Sequence, residues 1–458
     1  MSEIPAPIET RWRAYPTYKA SGVAWLGDIP EHWQVKRLRF MCTFNPSKAE
    51  VKDIPDGTQI SFLPMDAIGD DGTLDLSEIR LIEQLEAGYT YFRDGDVVVA
   101  KITPCFENGK GALVNNLQNG IGFGTTELYV LRVSEEVDNK YLYYLTYSHS
   151  FRIIGKFMMR GAAGQQRVPE LFIKDFPILP PPEEQQAIAD FLDRETAKID
   201  DLIAKKQALI ARLREERSAV ISHAVTKGLD PSAPMRDSGI AWLGDIPQGW
   251  EVKRLKFITS HIGSGKTHRG GSEVYQQQGV LFIRSQNVHV EGMRLDDVVY
   301  ISDEIDKDMS SSRVFSNDVL LNITGASLGR SSLVPNDFAR ANVNQHVCIV
   351  RPIVNQVHPS FLHNLLASDV VQTQIFSTEN GTSREGITFQ QIGNFWLVIP
   401  PDMDEQKHIV DYIHAETAKI DGLIKQTQAS IATLREYRTA LISAAVTGKI
   451  DVRGEVAP

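Results

Sequence analysis

The sequence predicts an α+β fold: two mixed, β-rich globular heads separated by two long helices that form an antiparallel intrachain coiled coil, with an internal pseudo-two-fold repeat. Three observations predict it. The first is a duplication. SGVAWLGDIPEHWQVKRLRF (Ser21–Phe40) returns 217 positions later as SGIAWLGDIPQGWEVKRLKF (Ser238–Phe257). ETAKID occurs at Glu195–Asp200 and Glu416–Asp421, and ISHAVT (Ile221–Thr226) answers ISAAVT (Ile442–Thr447), both 221 apart. Solenoid repeats run to about 20–50 residues, so a whole domain with an appendage was duplicated. The second is strand-like patterning between the shared blocks. The third is a pair of long apolar stripes at helical spacing.

Between the shared blocks, residues 41–170 and 258–385 share little beyond an echo, GDVVVAKIT (Gly95–Thr103) against NDVLLNIT (Asn317–Thr324). Both middles carry short runs rich in Val, Ile, Phe and Tyr, bounded by Gly, Asn and Asp, which read as strands. These are Gln59–Leu63, Asp96–Ile102, Glu127–Val133, Val280–Ile283, Val319–Ile323 and His346–Arg351, with helices following near Lys140–Ser148 and Pro359–Ala367.

Each unit closes with a proline-rich boundary and a long helix, near Glu184–Val225 and Glu405–Val446. Proline opens a helix at no cost because the first N–H groups have no intrahelical partner. Glu183, Glu184, Asp404 and Glu405 then suit the positive end of the dipole. Apolar residues at Ile188, Leu192, Ile199, Leu202, Leu209, Leu213 and Val220 form one stripe. Ile409, Ile413, Ile420, Leu423, Ile431, Leu434 and Leu441 form the other. Steps of three, four and seven describe a coiled-coil seam. Gly228 and Gly448 supply C-terminal stops. A rod of about 40 residues is about 60 Å long, and its natural partner is the other copy, the alternative being a dimerisation coiled coil between chains. The expected segments are 1–180 (first head), 181–230 (first repeated helix), 231–400 (second head) and 401–458 (second repeated helix and tail).

The 458 residues are 42% hydrophobic and 23% charged, ordinary for a globular chain of several domains. No apolar run reaches the length of a membrane span, and the N-terminus carries no apolar signal region. The three cysteines, Cys42, Cys105 and Cys348, form neither a disulfide framework nor a metal motif, so a cytoplasmic location is expected. A net charge of −10 opposes binding to phosphate, so a nucleic-acid reader of this composition needs a local basic surface or a basic partner.

A search for catalytic chemistry finds none. IGSGKT (Ile262–Thr267) imitates a phosphate-binding loop, but Ser260 stands where the first glycine belongs and HRGGSEVYQQQ follows instead of an amphipathic helix. Pro401-Asp402 with Glu405-Gln406-Lys407 imitates a nuclease pattern, but carboxylates this close at a helix start act as caps. The proline pairs lead into Glu and Asp, without the aromatic residue an adenine methyltransferase loop needs. The histidines lack metal-ligand spacing. No metal, catalytic or cofactor-binding residue is assigned.

WLGDIPxxWxVKRL opening each half, a proline pair shortly before EQxxI, a long helix with ETAKID and a closing AVT together resemble the specificity subunit of type I restriction-modification systems. The resemblance runs through nearly the whole chain, in order and twice. It implies that each variable middle is a target recognition domain reading one part of a split double-stranded DNA target, with the helices setting the gap. It implies two modification (methyltransferase) subunits docked on the repeated regions and two restriction (translocase and nuclease) subunits. S-adenosylmethionine, ATP and Mg²⁺ would be bound by those partners. It also bears on the charge, since several subunits together would encircle the duplex. The alternative is a non-enzymatic coiled-coil scaffold that binds two copies of a protein partner without DNA. A third reading, an ATPase or nuclease, rests only on the two imitations above.

Guanine is read by Arg and Lys, adenine by Asn and Gln. The expected DNA-contacting group in the first head is Lys101, Thr103, Lys110, Arg160, Gln165, Gln166 and Arg167. In the second it is Lys266, Thr267, Arg284, Asn322, Thr324, Arg330, Asn344, Gln345, Ser383 and Arg384. Lys36, Arg37, Lys253 and Arg254 lie in the repeated blocks and are expected to be structural or docking positions.

Overall fold

Alternation along the strands decides the layering of each head, because successive side chains point to opposite faces of a sheet. The computed structural model describes residues 8–454 apart from 86, 163, 179, 267–270 and 378–385. The chain packs as two compact units, Met1–Gln207 with Gln428–Pro458, and Ala208–Thr427. The four segments read from sequence follow the chain; packing groups them into these two units, each taking half of both long helices.

In the first unit an antiparallel sheet has the order Cys42–Phe44, Leu128–Val133, Val97–Ala100, Gly111–Leu113. A second has the order Ile79–Leu81, Gln59–Leu63, Ile121–Gly124, Thr90–Arg93, with its two central strands parallel. Val98 and Val130 point into a core shared with Leu63 and Phe92 of the second sheet. Val97, Val99 and Leu131 face the other way, onto Tyr141, Leu145 and Phe151 of the helices Asn139–Tyr147 and His149–Met158 and onto the long helices. Each such buried aliphatic side chain contributes about 1.5–3 kcal/mol.

The second unit repeats this plan on an unrelated sequence. Its sheets are Thr259–Ser264, Val347–Pro352, Val319–Asn322, Ser331–Leu333 and Val299–Ile301, Val280–Ile283, Ala341–Val343, Arg313–Val314. The two central strands of the latter are again parallel. The faint echo between the middles is a shared anchor. Asn317 and Gly95 turn the chain with positive φ, and the next residue is a buried aspartate. Asp96 takes both prongs of Arg132 at 2.7 Å, and Asp318 takes Arg351 at 2.7 and 2.8 Å. Two parallel N–H···O bonds hold the strand on its neighbour with fixed geometry.

The long helices span Pro182–Lys227 and Met403–Val446. Their seam differs from the expected stripe at three places. Leu202, Leu209 and Leu423 are 42%, 46% and 50% exposed, and Ile203, Ile210 and Ile424 take the inward positions. The true spacing runs Ile199, Ile203, Lys206, Ile210, Leu213, Arg217, with Ile420, Ile424, Thr427, Ile431, Leu434, Arg438 on the other helix. A Leu-Ile neighbour pair makes both registers locally legal; only the polar seam members distinguish them. One of these is an arginine in each helix. Arg438 pairs with Asp200 at 2.9 Å in the first unit, and Arg217 with Asp421 at 3.0 Å in the second.

The repeated tryptophan ties helix ends together. In the first unit the Trp33 indole N–H donates to Glu184 Oε2 at 2.8 Å, and a Cβ on Gly448 would come within 2.9 Å of the same ring. In the second, Trp250 donates to Glu405 Oε1 at 2.9 Å, and a Cβ on Gly228 would lie 3.3 Å from its ring. Each ring therefore joins the start of one long helix to the end of the other, so the helices run antiparallel. Gly228 and Gly448 both hold positive φ, as C-terminal stops require. The Gln beside each Glu also repeats its bonds. Gln185 Nε2 donates to the carbonyls of Pro180 and Glu136, and Gln406 Nε2 to those of Pro400 and Gln356. Among the described residues, no helix is long and apolar enough to cross a membrane.

The two locks differ in load. Glu184 also accepts from Tyr15 Oη at 3.0 Å, contacts the His32 ring and lies 3.7 Å from Arg453. Glu184→Gln is expected to destabilise the first unit by about 1–3 kcal/mol, since hydrogen bonds to charged groups are the stronger ones. Glu405→Gln should cost less. Thermal melting of the two variants checks this, and an equal or reversed order would contradict it.

Candidate nucleic-acid interface

The end of the strand Val97–Ala100 leads into a tight loop that returns at Gly111. A second loop, entered from the helix His149–Met158, crosses it. The Thr103 amide donates to the Gln166 carbonyl at 2.9 Å, and Val168 N–H to the Lys101 carbonyl at 2.8 Å. Gln166 N–H returns to Thr103 Oγ1 at 3.1 Å. Arg160 and Arg167 pair backbone to backbone at 3.0 and 2.8 Å. Lys101, Thr103, Arg160, Gln165, Gln166 and Arg167, distant in sequence, thus converge on one platform.

The second head builds the same platform. Ile387 N–H donates to the Ile323 carbonyl at 3.0 Å, and Ile323 N–H to the His346 carbonyl at 3.0 Å. Thr324, which matches Thr103 in the repeat, contacts His346 Nδ1 through its hydroxyl at 2.6 Å. Gln345 reaches His346 Nε2 at 2.8 Å, and Asn344 Oδ1 accepts the His346 amide at 3.0 Å. The sequence reads His346 as a hydrogen-bonded group rather than a metal ligand, and its bonds to Thr324 and Gln345 are of that kind. It is not among the expected DNA-contacting residues, because a lone histidine carries no such signal until its partners are known. Arg330 stands exposed at the return of the loop, its carbonyl accepting from Asn322 N–H at 2.8 Å.

The residue pattern and this geometry agree with what comparison finds. A family model described as type I restriction modification DNA specificity domain matches residues 30–212 and again 247–433. The chain belongs to this family. Among curated relatives, the type I restriction enzyme EcoEI specificity subunit of Escherichia coli is 44% identical over 163 residues, 35% of this chain and 27% of that protein. The EcoAI specificity subunit, also of Escherichia coli, is 28% identical over 374 residues, 65% of this chain and 62% of that protein. The chain thus spans about a quarter of the first relative and under two thirds of the second. A chain solved in work on complex assembly and conformational transition of the type I R-M system shares the fold, with TM-score 0.67 and 17% identity over 91% of this chain and 98% of that one.

Within the two specificity domains the expected residues divide by what holds them. Exposed or half-exposed on the platforms are Lys101, Thr103, Arg160, Gln165 and Gln166, and Thr324, Arg330 and Gln345. Others are engaged inside their own unit. Lys110 Nζ donates to the Met65 carbonyl at 2.7 Å. Arg167 forks onto Glu127 at 2.7 and 2.9 Å, holding that carboxyl below its usual range and the guanidinium above its own. Lys266 pairs with Asp308 at 2.7 Å and Arg284 with Asp297 at 3.3 Å. Asn322 is fully buried, its amide given to the Ser285 carbonyl at 2.8 Å, and Asn344 is nearly so. Thr267, Ser383 and Arg384 lie outside the described residues.

The imitations of catalytic motifs resolve locally. The strand that precedes Gly265-Lys266, Thr259–Ser264, is half exposed rather than the buried strand a phosphate-binding loop follows, and Gly271–Val274 forms only a 3-10 turn. Asp402 Oδ1 accepts the Asp404 amide at 3.0 Å, a helix cap. Among the described residues no group of His, Cys, Asp and Glu is placed to hold a metal ion. Arg37 meets Asp175 at 3.3 Å and Arg254 meets Asn394 at 2.8 Å, so these repeated basic residues brace the segment ahead of each long helix.

The second head rests on buried Asp306, which bonds Arg313 Nε at 2.9 Å, Arg340, and Asn342 Nδ2 at 3.2 Å. Burial pushes this carboxyl up, and the bonds from Arg313, Arg340 and Asn342 outweigh it, leaving it below its usual range. A depressed carboxylate contributes stability above its unfolded pKa, about 3.9, and loses it as pH falls through the folded value. The melting temperature of the chain is therefore expected to drop below about pH 4, and Asp306→Asn to show a shallower acid dependence. An acid profile unchanged in the variant would contradict this.

Proposed function

We propose that this chain is the DNA-sequence-reading subunit of a type I restriction-modification complex and performs no chemistry itself. Each head reads one part of a split double-stranded target. The observation that carries the reading is one fold written twice with different loops. The family model matches both heads, the sheet topologies coincide, and the side chains on the two platforms differ. A protein needing only two identical docking sites has no use for unlike platforms, which disfavours the scaffold alternative.

Modification and restriction subunits would bring S-adenosylmethionine, ATP and Mg²⁺. Two copies of the modification subunit fit the repeated blocks, which present matching apolar surface. Phe40 and Phe257 are 75% and 62% exposed, and Trp25 and Trp242 are 39% and 48% exposed. Paired exposed aromatics in otherwise divergent units are what a partner present twice would use. Phe40→Asp and Phe257→Asp are each expected to remove one modification subunit from the co-expressed complex, and the double variant both. Native mass spectrometry reads the stoichiometry; retention of both copies by the double variant would refute the docking surface.

Arg160→Ala and Arg330→Ala are each expected to weaken specific DNA binding by the assembled complex by about 1–3 kcal/mol, the usual value of one base contact, with assembly intact. Titration at fixed salt tests this. Unchanged affinity in both would count against the platforms as the reading surfaces. Methylated-adenine mapping after co-expression tests the function as a whole, and a split motif with a constant gap is the expected result.

A further inference from the structure

The two reading loops are held from below by one position of the fold. Arg152 is the fourth residue of the helix His149–Met158, and Gln372 the fourth of Asp369–Ser377. Arg152 Nη1 donates to the Phe106 carbonyl and Nη2 to the Gly109 carbonyl, both at 3.0 Å. Gln372 Nε2 donates to the Gly329 carbonyl at 2.9 Å and to the Leu366 carbonyl at 2.7 Å. Gly109 and Gly329 occupy the same place in the repeat, and both hold positive φ, +91° and +81°. Between the shared Ile-Thr and this glycine the loops have no residue in common, PCFEN against GASL, yet both are caught at it.

The surroundings make the contact specific to the loop. The Arg152 guanidinium sits against the rings of Phe106 and Tyr147, 4.9 and 5.2 Å from their centres, and its Nε is shut away from solvent without a partner. No carboxylate is paired with it among the described residues. A half-buried cation without a counter-ion gives up part of its hydration, and its bonds to two loop carbonyls offset that loss. Burial accordingly pulls this guanidinium down to about 10. Phe106 itself seats on Gly155, where a Cβ would come within 2.4 Å of its ring. Tyr147 Oη donates to the Gly111 carbonyl at 2.8 Å and fixes the loop's exit.

We propose that Arg152 and Gln372 are positioning residues for sequence reading, each setting the course of the loop that carries Lys101 and Thr103, or Thr324 and Arg330, in its own head. This rests on the DNA-reading function proposed above. Neither side chain touches DNA; each acts through the loop backbone. The first head uses a charged fork and the second a neutral amide for the same task, so the second head's residue should serve in the first.

The test uses the complex co-expressed with its modification subunit and a randomised duplex library read out by sequencing of methylated adenines. Arg152→Leu is expected to lower discrimination in one half of the split target by about tenfold, within the range of one base-pair mismatch, leaving the other half unchanged. Gln372→Leu should do the same to the opposite half. Arg152→Gln should retain most of the discrimination that Arg152→Leu loses. A merely structural role would lower methylation without changing the sequence preference, and that result overturns the proposal. Unaltered preferences in both Leu variants, or equal loss in both halves from either one, also overturn it. Should Arg152→Leu fail to assemble, Gln372→Leu, which buries no charge, decides by the same criteria. A wild-type complex that methylates without any sequence preference would instead refute the reading function itself.

Discussion

The fold depends on an apolar seam too long to leave in water. Each long helix carries inward residues spaced by four and three through its whole middle, and neither stripe is covered by its own head alone. An arginine sits in each seam and is met by an aspartate of the other helix, Asp200 with Arg438 and Arg217 with Asp421. These half-buried pairs contribute little net stability. They favour one register, because sliding either helix along the other parts each guanidinium from its carboxylate. The tryptophan locks then fasten a head to the start of one helix and the end of the other. Everything the heads carry is referred to those two points.

This frame explains which parts of the sequence were allowed to differ. The repeated blocks coincide with the locks: Trp33 and Trp250, the Glu-Gln pairs at the helix starts, and the glycines at the helix ends. Even the inverted pair Lys227-Gly228 and Gly448-Lys449 ends in one geometry, with each lysine donating to the carbonyl of Asp245 or Asp28. The middles obey only the alternation that buries one strand face on the helices and the other on the second sheet. That requirement is met by any apolar residue at alternate positions, so the platforms above could diverge while the layers beneath them did not.

Much of the architecture was legible in the sequence for the same reason. Helices and strands show as periods, and Gln59–Leu63, Val280–Ile283 and Pro359–Ala367 fall on their expected boundaries. The seam register was misread where Leu and Ile stand side by side, since the residues that settle it, Lys206, Arg217, Thr427 and Arg438, are polar and break an apolar pattern. The division into two sheets per head was not legible, because the parallel pairings join strands far apart in the chain. Composition pointed to the loops as the proposed reading surface, and packing brings Lys101, Thr103, Arg160, Gln165 and Gln166 together there. Their individual roles were not legible, since Arg167, Lys110 and Asn322 have the same chemistry as Arg160 and Gln165 and differ only in having a partner within their own unit.

The acidity of the chain and its proposed work on DNA are reconciled by where the charges are engaged. Internal carboxylates already hold many of the cations: Arg132, Arg167, Arg313, Arg340 and Arg351 all brace strands or loops. Such pairs spend basic side chains on shape and leave little field to attract phosphate from a distance. Sequence reading does not require that field. It requires a few donors held at fixed positions in a groove, while the counterion release that dominates affinity can come from other subunits around the same duplex. On the function proposed above, such a reader would gain selectivity from rigid loops and leave the bulk of the attraction to the proposed partner subunits.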